Sequence, residues 1–224
     1  GYWPKGTVFV SIVDPGVGSS RRSVVARTKS GHFIVTPDNG TLTHVAESLG
    51  IDQVREIDEA KNRLKNSGES YTFHGRDVYA YTGARLASGI ISFDEVGPLY
   101  TGEVIRIPYQ KAVFGNQEVR GGIPVLDIQY GNVWTNIDRT TFNELGVGVG
   151  EWLQVRILNK GKLVFDQRVR YVATFAAVEE GTTLGYFNSL LNFSLAVNMG
   201  NFSETYHVLS GSDWTISLRK VSNK

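Results

Sequence analysis

Residues 7–18 of the chain read Thr-Val-Phe-Val-Ser-Ile-Val-Asp-Pro-Gly-Val-Gly. The stretch from 7 to 13 is almost uninterrupted in apolar and β-branched side chains, and it predicts a strand buried on both faces in the interior of a sheet. Asp14 comes directly after this strand, and ligands of α/β sheets bind beyond the carboxyl ends of the strands. Asp14 is therefore a candidate site residue. A tight turn closed by a salt bridge to Arg21 or Arg22 is the alternative interpretation.

Strand and helix patterns alternate over the first half of the chain. Residues 32–36 predict a second buried strand, and residues 41–49 and 77–88 carry apolar side chains at the spacing of one helical face. Such alternation is typical of α/β domains. We expect a sandwich-like α/β domain over residues 1–97, with helices packed on a central, largely parallel sheet.

The second half of the chain has a different character. Glycines separate short apolar runs at intervals typical of hairpins, and the clearest hairpin is predicted at residues 155–165, around Asn159-Lys160-Gly161. Residues 98–110 contain prolines and little helical periodicity, which favours a linker. The sequence therefore predicts a small, mostly antiparallel β domain over residues 111–224.

Composition excludes several classes of function. Of 224 residues, 23 are Lys or Arg and 22 are Asp or Glu, which gives a formal net charge of +1, and no basic run is longer than Arg21-Arg22. Proteins that bind nucleic acids or anionic membranes carry strong basic patches, so neither partner is expected. The lack of cysteine excludes disulfides, thiolate nucleophiles and zinc–thiolate sites. No apolar stretch approaches the roughly 18 to 20 residues of a membrane helix, which favours a cytoplasmic protein.

The segment Thr72-Phe-His-Gly-Arg-Asp77 is a second candidate cluster. Asp77 at the start of a helix favours the helix dipole. His74 is flanked by an aromatic residue and a glycine, which predicts a partly buried turn, and a catalytic histidine and a core histidine fit this pattern equally well. The other histidines lack metal-ligand spacing, so no metal site is expected and structural or surface roles are assigned to His32, His44 and His207.

Residues 127–136 open the β domain with a turn that is rich in amides and aromatic side chains, Asp-Ile-Gln-Tyr-Gly-Asn-Val-Trp-Thr-Asn. Asparagine side chains can recognise an adenine edge, and aromatic faces can stack on the base. Ordinary Asx turns use the same residues. Residues 186–190 and 196–202 repeat this mixture of amide, hydroxyl and apolar groups. The residues alone leave both interpretations open.

Five motifs in this order resemble the S-adenosylmethionine hydroxide adenosyltransferase family, which is related to fluorinating and chlorinating enzymes. They span nearly the whole chain: Val13-Asp-Pro-Gly-Val-Gly-Ser19, Pro37-Asp-Asn-Gly40, Phe73-His-Gly-Arg-Asp77, Tyr130-Gly-Asn132 and Ala196-Val-Asn198. The resemblance implies an α/β N-domain joined to a small antiparallel β-barrel C-domain. It also implies a homotrimer that binds its small-molecule substrate between the N-domain of one subunit and the C-domain of the next.

The resemblance also implies roles for particular residues. The Asp, Arg, His triad of the hydrolytic branch corresponds to Asp14, Arg21 and His74, with Arg22 as the adjacent alternative to Arg21. The remaining positions are implied to bind substrate: Asp127 and Ser189 at the methionine end, Tyr130, Asn132 and the backbone around Asn198 and Met199 at the adenine, and Trp3 by the ribose. Members of the family begin with a further strand and an acidic motif that holds the ribose hydroxyls, so we expect residues to precede Gly1 in the full protein.

The implied reaction is hydrolysis of S-adenosyl-L-methionine to adenosine and L-methionine, without a cofactor or a metal. The leaving group is a neutral thioether, so only the water needs activation. A carboxylate paired with arginine accepts protons poorly at neutral pH, whereas histidine titrates near about 6.5. The hypothesis is that Asp14 and Arg21 orient the water and His74 relays its proton.

Two alternatives remain open. One is a halide-using adenosyltransferase, although the fluoride-using relatives have a Tyr-Ser pair where this chain has His74-Gly75, which favours hydrolysis. The other is a non-catalytic sensor that binds adenosine or S-adenosylmethionine.

Overall fold

The computed structural model describes residues 2–221. The ends of the two predicted domains, residue 1 and residues 222–224, lie outside this range. The chain divides into two compact units, Gly1–Pro108 and Tyr109–Lys224. Each unit contains one sheet, and the described fold is mixed α/β with strands predominating.

The first unit is built on a five-stranded sheet in the order β1-β3-β2-β4-β5. The bounds are β1 Val8–Val10, β2 Ser23–Thr28, β3 Phe33–Pro37, β4 Ile51–Glu56 and β5 Leu99–Tyr100. Only β1 and β3 pair in parallel among these strands, and the other three pairs are antiparallel. The prediction of a largely parallel sheet is therefore wrong for the described residues. A tight turn through Gly31, with φ 81°, joins β2 to β3, and strands joined by so short a turn run antiparallel.

The first predicted strand is shorter and more exposed than its sequence suggests. β1 covers Val8–Val10 at the edge of the described sheet, and Val10 is 41% exposed. Ile12 and Val13 follow it outside the sheet with exposed side chains. For the described residues the prediction of an interior strand over residues 7–13 is wrong, because an apolar run does not by itself say how many neighbours a strand has. The strand predicted at residues 32–36 is confirmed as β3.

Helices cover both faces of the first sheet, as the alternating side chains of the strands require. The helices predicted at residues 41–49 and 77–88 are confirmed. Their bounds, with those of two shorter segments, are α1 Thr43–Ser48, α2 Glu59–Asn62, a π-helix over Gly75–Ala80 that continues into α3 Tyr81–Ala87, and a 3₁₀ turn over Phe93–Glu95. Val25 and Val35 pack against the π-helix, whereas Val24 and Ala26 pack on the side of α1.

Residues 98–108, within the predicted linker, pack against the first unit. Leu99–Tyr100 pairs with β4 as the edge strand β5. The backbone N–H of Ile105 donates to Asp38 Oδ1 at 2.8 Å, and that of Ile107 donates to Thr43 Oγ1 at 3.0 Å. These bonds tie the segment to the loop after β3 and to the start of α1.

The second unit is a nine-stranded sheet in the order β6-β7-β14-β10-β11-β12-β13-β9-β8. The bounds are β6 Val113–Gly115, β7 Glu118–Ile123, β8 Val125–Asp127, β9 Asn132–Asp138, β10 Trp152–Asn159, β11 Lys162–Tyr171, β12 Thr183–Phe187, β13 Asn192–Val197 and β14 Gly211–Lys220, with α4 Arg139–Asn143, a 3₁₀ turn Phe175–Ala177 and α5 Phe202–Tyr206. Of the described pairs, only β11–β12 is parallel. The sheet curls, so that Gly122 N of β7 donates to Asn136 Oδ1 of β9 at 2.8 Å although other strands separate them in the order.

The hairpin predicted at residues 155–165 is confirmed as β10 and β11. Lys160 and Gly161 form its loop with φ 49° and 80°, and positive φ at both loop positions is what a type I′ turn requires. Inside the curled sheet, the rings of Phe142 and Phe193 stack with their centroids 5.2 Å apart, and both side chains are buried. No helix in the described part of the chain is long and apolar enough to cross a membrane.

Candidate active site

Asp14, Arg21 and His74 form one buried cluster in the first unit. Arg21 donates to the Asp14 carboxylate through Nε at 2.8 Å and through Nη2 at 2.6 Å, and Nη2 also lies 2.9 Å from His74 Nδ1. The side chains of Arg21 and Asp14 are 9% and 6% exposed, and His74 is 5% exposed. A two-pronged pairing of arginine and carboxylate fixes the plane of both groups. The structure therefore brings the three predicted catalytic residues together.

Each member of this cluster is placed by a local feature of the backbone. Asp14 begins a turn closed by a hydrogen bond from Val17 N to Asp14 O at 3.3 Å. Arg21 lies just before β2, whose first residue, Ser23, is buried. His74 is the N-cap of the π-helix, and the N–H of Asp77 donates to Phe73 O. π-Helical turns occur often at functional sites, and this one places the imidazole at its start.

Arg22 has different partners from Arg21. Its Nε and Nη2 lie 3.3 Å from Asp38 Oδ2, and its guanidinium stacks on the Tyr100 ring at 4.3 Å. Of the two adjacent arginines, Arg21 is the one that contacts Asp14 and His74.

Ser23 and Tyr79 support the far side of Arg21. Arg21 Nη1 donates to Ser23 Oγ at 2.9 Å, and Ser23 Oγ donates to Tyr79 Oη at 3.1 Å. Burial raises the pKa of Tyr79 to about 12, so the phenol is neutral at physiological pH. Burial alone lowers the pKa of Arg21, but the hydrogen bond to Asp14 and nearby negative charge outweigh it, and the net direction is upward. Sequence analysis missed both residues because their positions in β2 and the π-helix are those of ordinary core residues.

The second ring nitrogen of His74 faces another arginine. Arg63 Nη2 lies 2.9 Å from His74 Nε2 and 2.8 Å from Glu59 Oε2. Burial lowers the pKa of His74, the charges of Arg21 and Arg63 lower it further, and Glu59 and Asp14 oppose them. His74 is therefore neutral at physiological pH. The only sequence signal for Arg63 is its spacing of four residues from Glu59, which is typical of a helical ion pair.

A cavity of about 710 Å³ in the second unit collects other predicted residues. Four of them line it: Tyr130, Asn132, Asn198 and Met199. The other lining residues from the amide-rich segments named above are Gln129, Tyr186, Val197, Gly200 and Asn201. Phe175 also lines the cavity, and the sequence prediction missed it. The rings of Phe175 and Tyr186 are 4.9 Å apart. Aromatic faces and amide groups therefore surround one space, as recognition of a base requires.

Backbone conformation shapes the rim of this cavity. Gly131 has φ 69°, and a Cβ there would meet the Asn201 side chain at 1.8 Å, so both the turn and the close approach require glycine. Met199 has φ 56° and is 82% exposed. The side-chain amide of Asn198 donates to Val178 O at 2.9 Å and is therefore engaged in holding the loop.

The structure does not place the other predicted binding residues in the cavity lining. Asp127 lies next to it, because its carbonyl accepts from the backbone N–H of Tyr130 at 3.1 Å and the residue pairs with Asn132 in the register of β8 and β9. Ser189 is exposed in the turn between β12 and β13. Trp3 belongs to the first unit, where it is 65% exposed and packs edge-on against Phe9 with the ring centroids 6.3 Å apart. Among the described residues, no group of three or more His, Asp or Glu side chains is arranged to hold a metal ion.

The motifs at these sites match a known family over both units. The family models for the N-terminal and C-terminal domains of SAM hydroxide adenosyltransferases match residues 1–97 and 121–215. A fluorinase from Actinoplanes sp. is 31% identical over 96% of this chain and 78% of its own length. The chain belongs to the SAM hydroxide adenosyltransferase family. The resemblance inferred from the sequence motifs is thus confirmed.

Two further proteins are similar to this chain. A protein named (R)-S-adenosyl-L-methionine hydrolase from Methanocaldococcus jannaschii is 32% identical over 91% of the chain, which spans 64% of that relative's length. The crystal structure of an uncharacterized conserved protein from Thermotoga maritima superposes with a TM-score of 0.87 at 34% identity, over 98% of this chain and 79% of the other. The named relatives therefore include both hydrolases and fluorinases, so their names do not decide whether the nucleophile is water or a halide.

Proposed function

We propose that this protein hydrolyses S-adenosyl-L-methionine by attack of water or hydroxide on C5′ and releases adenosine and L-methionine. The observation that carries the proposal is the buried cluster of Asp14, Arg21 and His74, in a family whose named members include S-adenosyl-L-methionine hydrolases. The chain spans 64% of the length of the archaeal hydrolase. The activity of that longer protein is therefore a proposal for this chain.

The reaction forms one bond and breaks another at the same carbon. The oxygen of water bonds to C5′, and the C5′–S bond breaks with its electron pair moving to sulfur, which leaves as the neutral thioether of methionine. Asp14 and Arg21 hold the water in line with the C–S bond, and His74 accepts the proton that the water loses. The lowered pKa of His74 keeps the imidazole in its neutral, accepting form and favours release of the proton afterwards.

The cavity of the second unit is proposed to bind the adenine. Tyr130 and Tyr186 provide aromatic faces for the base, and Asn132 provides an amide for its edge. Asp127 and Ser189 are proposed at the methionine end, where a carboxylate and a hydroxyl suit the ammonium and carboxylate of the amino acid. Trp3 is proposed beside the ribose.

The proposed assembly is a homotrimer in which substrate binds between the first unit of one subunit and the second unit of the next. It needs no cofactor or metal, because a sulfonium leaves as a neutral group without acid or Lewis-acid assistance. We also propose that the curled sheet closes into a small barrel. Its location is proposed to be the cytoplasm, where S-adenosylmethionine is made and used.

A halide-using adenosyltransferase is the second candidate, because fluorinases are among the relatives. A halide has to lose its hydration shell, so its pocket must supply donors in a dry site. His74 offers an imidazole whose two nitrogens already face arginines, and Gly75 has no side chain to donate a hydrogen bond. This arrangement favours water over a halide.

Turnover tests the proposed function directly. Purified protein incubated with S-adenosyl-L-methionine is expected to release adenosine and methionine in equal amounts over many turnovers, measured by liquid chromatography. The Asp14→Asn protein, which keeps the size of the side chain, is the matched control and is expected to be nearly inactive. Binding in a fixed ratio to protein without release of methionine would support a sensor instead.

A further inference from the structure

His74 has a guanidinium at each of its two ring nitrogens. Arg21 Nη2 lies 2.9 Å from Nδ1, and Arg63 Nη2 lies 2.9 Å from Nε2. Arginine donates hydrogen bonds and cannot accept them, and a neutral imidazole has only one nitrogen with a free lone pair. Only one arginine can therefore donate to the neutral ring at a time. In an imidazolium both ring nitrogens carry an N–H, and each N–H would point at a guanidinium cation.

Arg63 is held in this position from several sides. Its Nε and Nη2 donate to Glu59 Oε2 at 3.2 and 2.8 Å, and its guanidinium lies 4.7 Å from the centre of the Tyr71 ring. The next residue is fixed to the helix that carries His74, because Leu64 N donates to Asp77 O at 2.8 Å. The Arg63 side chain is only 12% exposed. Its distance from the imidazole is therefore set by the backbone of both elements.

One donor of Arg63 remains unused by the protein. Nη1 is buried and has no hydrogen-bond partner among the described residues. A buried N–H without a partner is costly, so a leucine or methionine would fill this place at lower cost if only packing mattered. A charge kept at such a cost next to His74 indicates a role for that charge.

Charges from every neighbouring element act on the imidazole. Asp14 and Arg21 lie on the segment between β1 and β2, Glu59 and Arg63 lie on and just after α2, and the Tyr71 ring packs edge-on with its centroid 6.1 Å away. On the helix of His74 itself, the Asp77 carboxylate is paired with Arg76 at 2.6 Å. The two carboxylates nearest to the cluster are each bound to one of its arginines. With His74 neutral, Asp14, Arg21, Glu59 and Arg63 sum to zero charge.

We propose that Arg63, anchored by Glu59, is a positioning residue that fixes the His74 ring against Arg21 and keeps the imidazole neutral. Its one unprotonated nitrogen accepts the proton of the attacking water, without retaining it, when the arginine beside that nitrogen donates only to its own carboxylate, Asp14 or Glu59. The transfer of the proton from water rests on the proposed hydrolysis, whereas the position and neutrality of His74 do not. Arg63 acts through His74 and is not expected to touch the substrate.

Nuclear magnetic resonance of the histidine rings tests the proposal without substrate. Protein labelled with ¹⁵N-histidine is titrated between about pH 5 and 8, where an ordinary histidine changes charge, and the His74 signals are assigned from their loss in His74→Asn. In the wild-type protein the midpoint of His74 is expected to lie below that of an ordinary histidine, because burial and the two arginines lower its pKa. In Arg63→Gln the midpoint is expected to move to higher pH, because a cation beside the ring has been removed. Arg63→Lys, which keeps the charge, is expected to stay near the wild type.

Arg27→Gln is the matched control, since Arg27 pairs with Asp52 elsewhere in the same unit and the substitution removes the same charge. It is expected to leave the His74 titration unchanged. Titration of wild-type His74 near the ordinary value of about 6.5 would overturn the proposal without any variant. An unchanged midpoint of His74 in a folded Arg63→Gln protein would overturn it as well. If Arg63→Gln does not fold, the midpoints of His74 in the wild type and in Arg63→Lys still decide the proposal.

The pH profile of the reaction gives a second readout that loss of folding does not imitate. The acid limb of kcat/KM is expected to lie at higher pH in Arg63→Gln than in the wild type, with KM nearly unchanged, and Arg63→Lys is expected to restore the wild-type limb. A rise in KM alone would assign Arg63 to substrate binding and contradict a positioning role. If the wild type forms no adenosine, the proposed hydrolysis fails, while the ring titration still decides the part played by Arg63.

Discussion

At the scale of single residues, Arg21 shows why an arginine rather than a lysine stands at the centre of the cluster. Its guanidinium donates in one plane to Asp14 on one edge and to Ser23 on another, and it also faces His74. A lysine ammonium is a compact charge without this fixed fork, so it cannot reach Asp14, Ser23 and His74 in one plane. Arg21→Lys is thus a test of geometry at constant charge.

Substitutions in the cluster are expected to reduce activity as a unit. Asp14→Asn, Arg21→Lys and His74→Asn should each lower adenosine formation by about 10² to 10⁴. The double variant of Asp14 and His74 should lose little more than the single ones, because residues that act on one water fail together. Circular dichroism checks that each variant is folded.

Arg22→Gln is the control for this series. Arg22 carries the same charge as its neighbour, but it pairs with Asp38, whose side chain is 1% exposed. The variant is expected to lose about 1 to 3 kcal/mol of stability and to keep its turnover number. Inactive Arg22→Gln beside active Arg21→Lys would reverse the assignment of the two arginines.

At the scale of elements, local signals were predictable and contacts between distant segments were not. The hairpin at β10–β11 follows from Lys160 and Gly161, and the helix over residues 77–88 follows from its apolar spacing, because both depend on neighbours in sequence. The edge position of β1 depends on pairing that the sequence does not encode locally, whereas the antiparallel direction of β2 follows from the short turn through Gly31, a local signal that the sequence prediction missed. In the same way, Asp14 and His74 were found beside a strand end and in a turn, whereas the contact of Arg63 with His74 arises only in the folded chain.

Glu118 links the ends of β7 and β14 through charge. Its carboxylate receives bonds from Arg120 at 2.9 Å and from Arg219 at 3.0 Å. Burial works to raise the pKa of Glu118, but hydrogen bonds from Ser217 and the two arginines outweigh it and lower the pKa to about 2. Since the pKa is lower in the folded than in the unfolded state, this residue stabilises the second unit fully above the ordinary glutamate value of about 4.3, and the contribution is lost as the pH falls towards 2.

Glu118→Gln is therefore expected to change stability in a way that depends on pH. At neutral pH the variant should be less stable by about 1 to 3 kcal/mol, and between about pH 4 and 2 its difference from the wild type should shrink. Urea unfolding followed by tryptophan fluorescence measures this, because Trp134, Trp152 and Trp214 all lie in the second unit. Glu180→Gln, at an exposed position, is the control. A loss of stability in Glu118→Gln that is equal at every pH would exclude the ion pair as the cause.

At the scale of the whole molecule, the proposed chemistry and the proposed recognition are carried by different units. The cluster of Asp14, Arg21 and His74 belongs to the first unit, and the cavity with Tyr130 and Asn132 belongs to the second. In the trimer proposed above, these sets come from neighbouring subunits. Each active site would then depend on assembly, and dilution below the assembly concentration would remove activity.

Mixing two inactive variants tests whether subunits share sites. Asp14→Asn lacks the proposed chemistry and Asn132→Ala lacks the proposed adenine contact, so each trimer alone should be inactive. If sites are shared, random mixed trimers regain about one quarter of the wild-type activity, since half of the first units and half of the neighbouring second units are intact. Light scattering should show three times the monomer mass. No recovery after dissociation and remixing, or an active monomer, would contradict shared sites.

The source of the new oxygen on C5′ separates the hydrolase from the halogenase. In ¹⁸O-labelled water the label is expected on the 5′-oxygen of adenosine, measured by mass spectrometry, because the attacking water becomes that oxygen while sulfur leaves as methionine. Added chloride or fluoride is expected to give no 5′-halo-5′-deoxyadenosine above the level of a sample without protein, since His74 and Gly75 give a desolvated anion no hydroxyl donor. A 5′-halo product as the main species would overturn hydrolysis and keep the family. Unlabelled adenosine formed in labelled water would instead show that the oxygen does not come from solvent, and that outcome would exclude direct attack by water held at Asp14, Arg21 and His74.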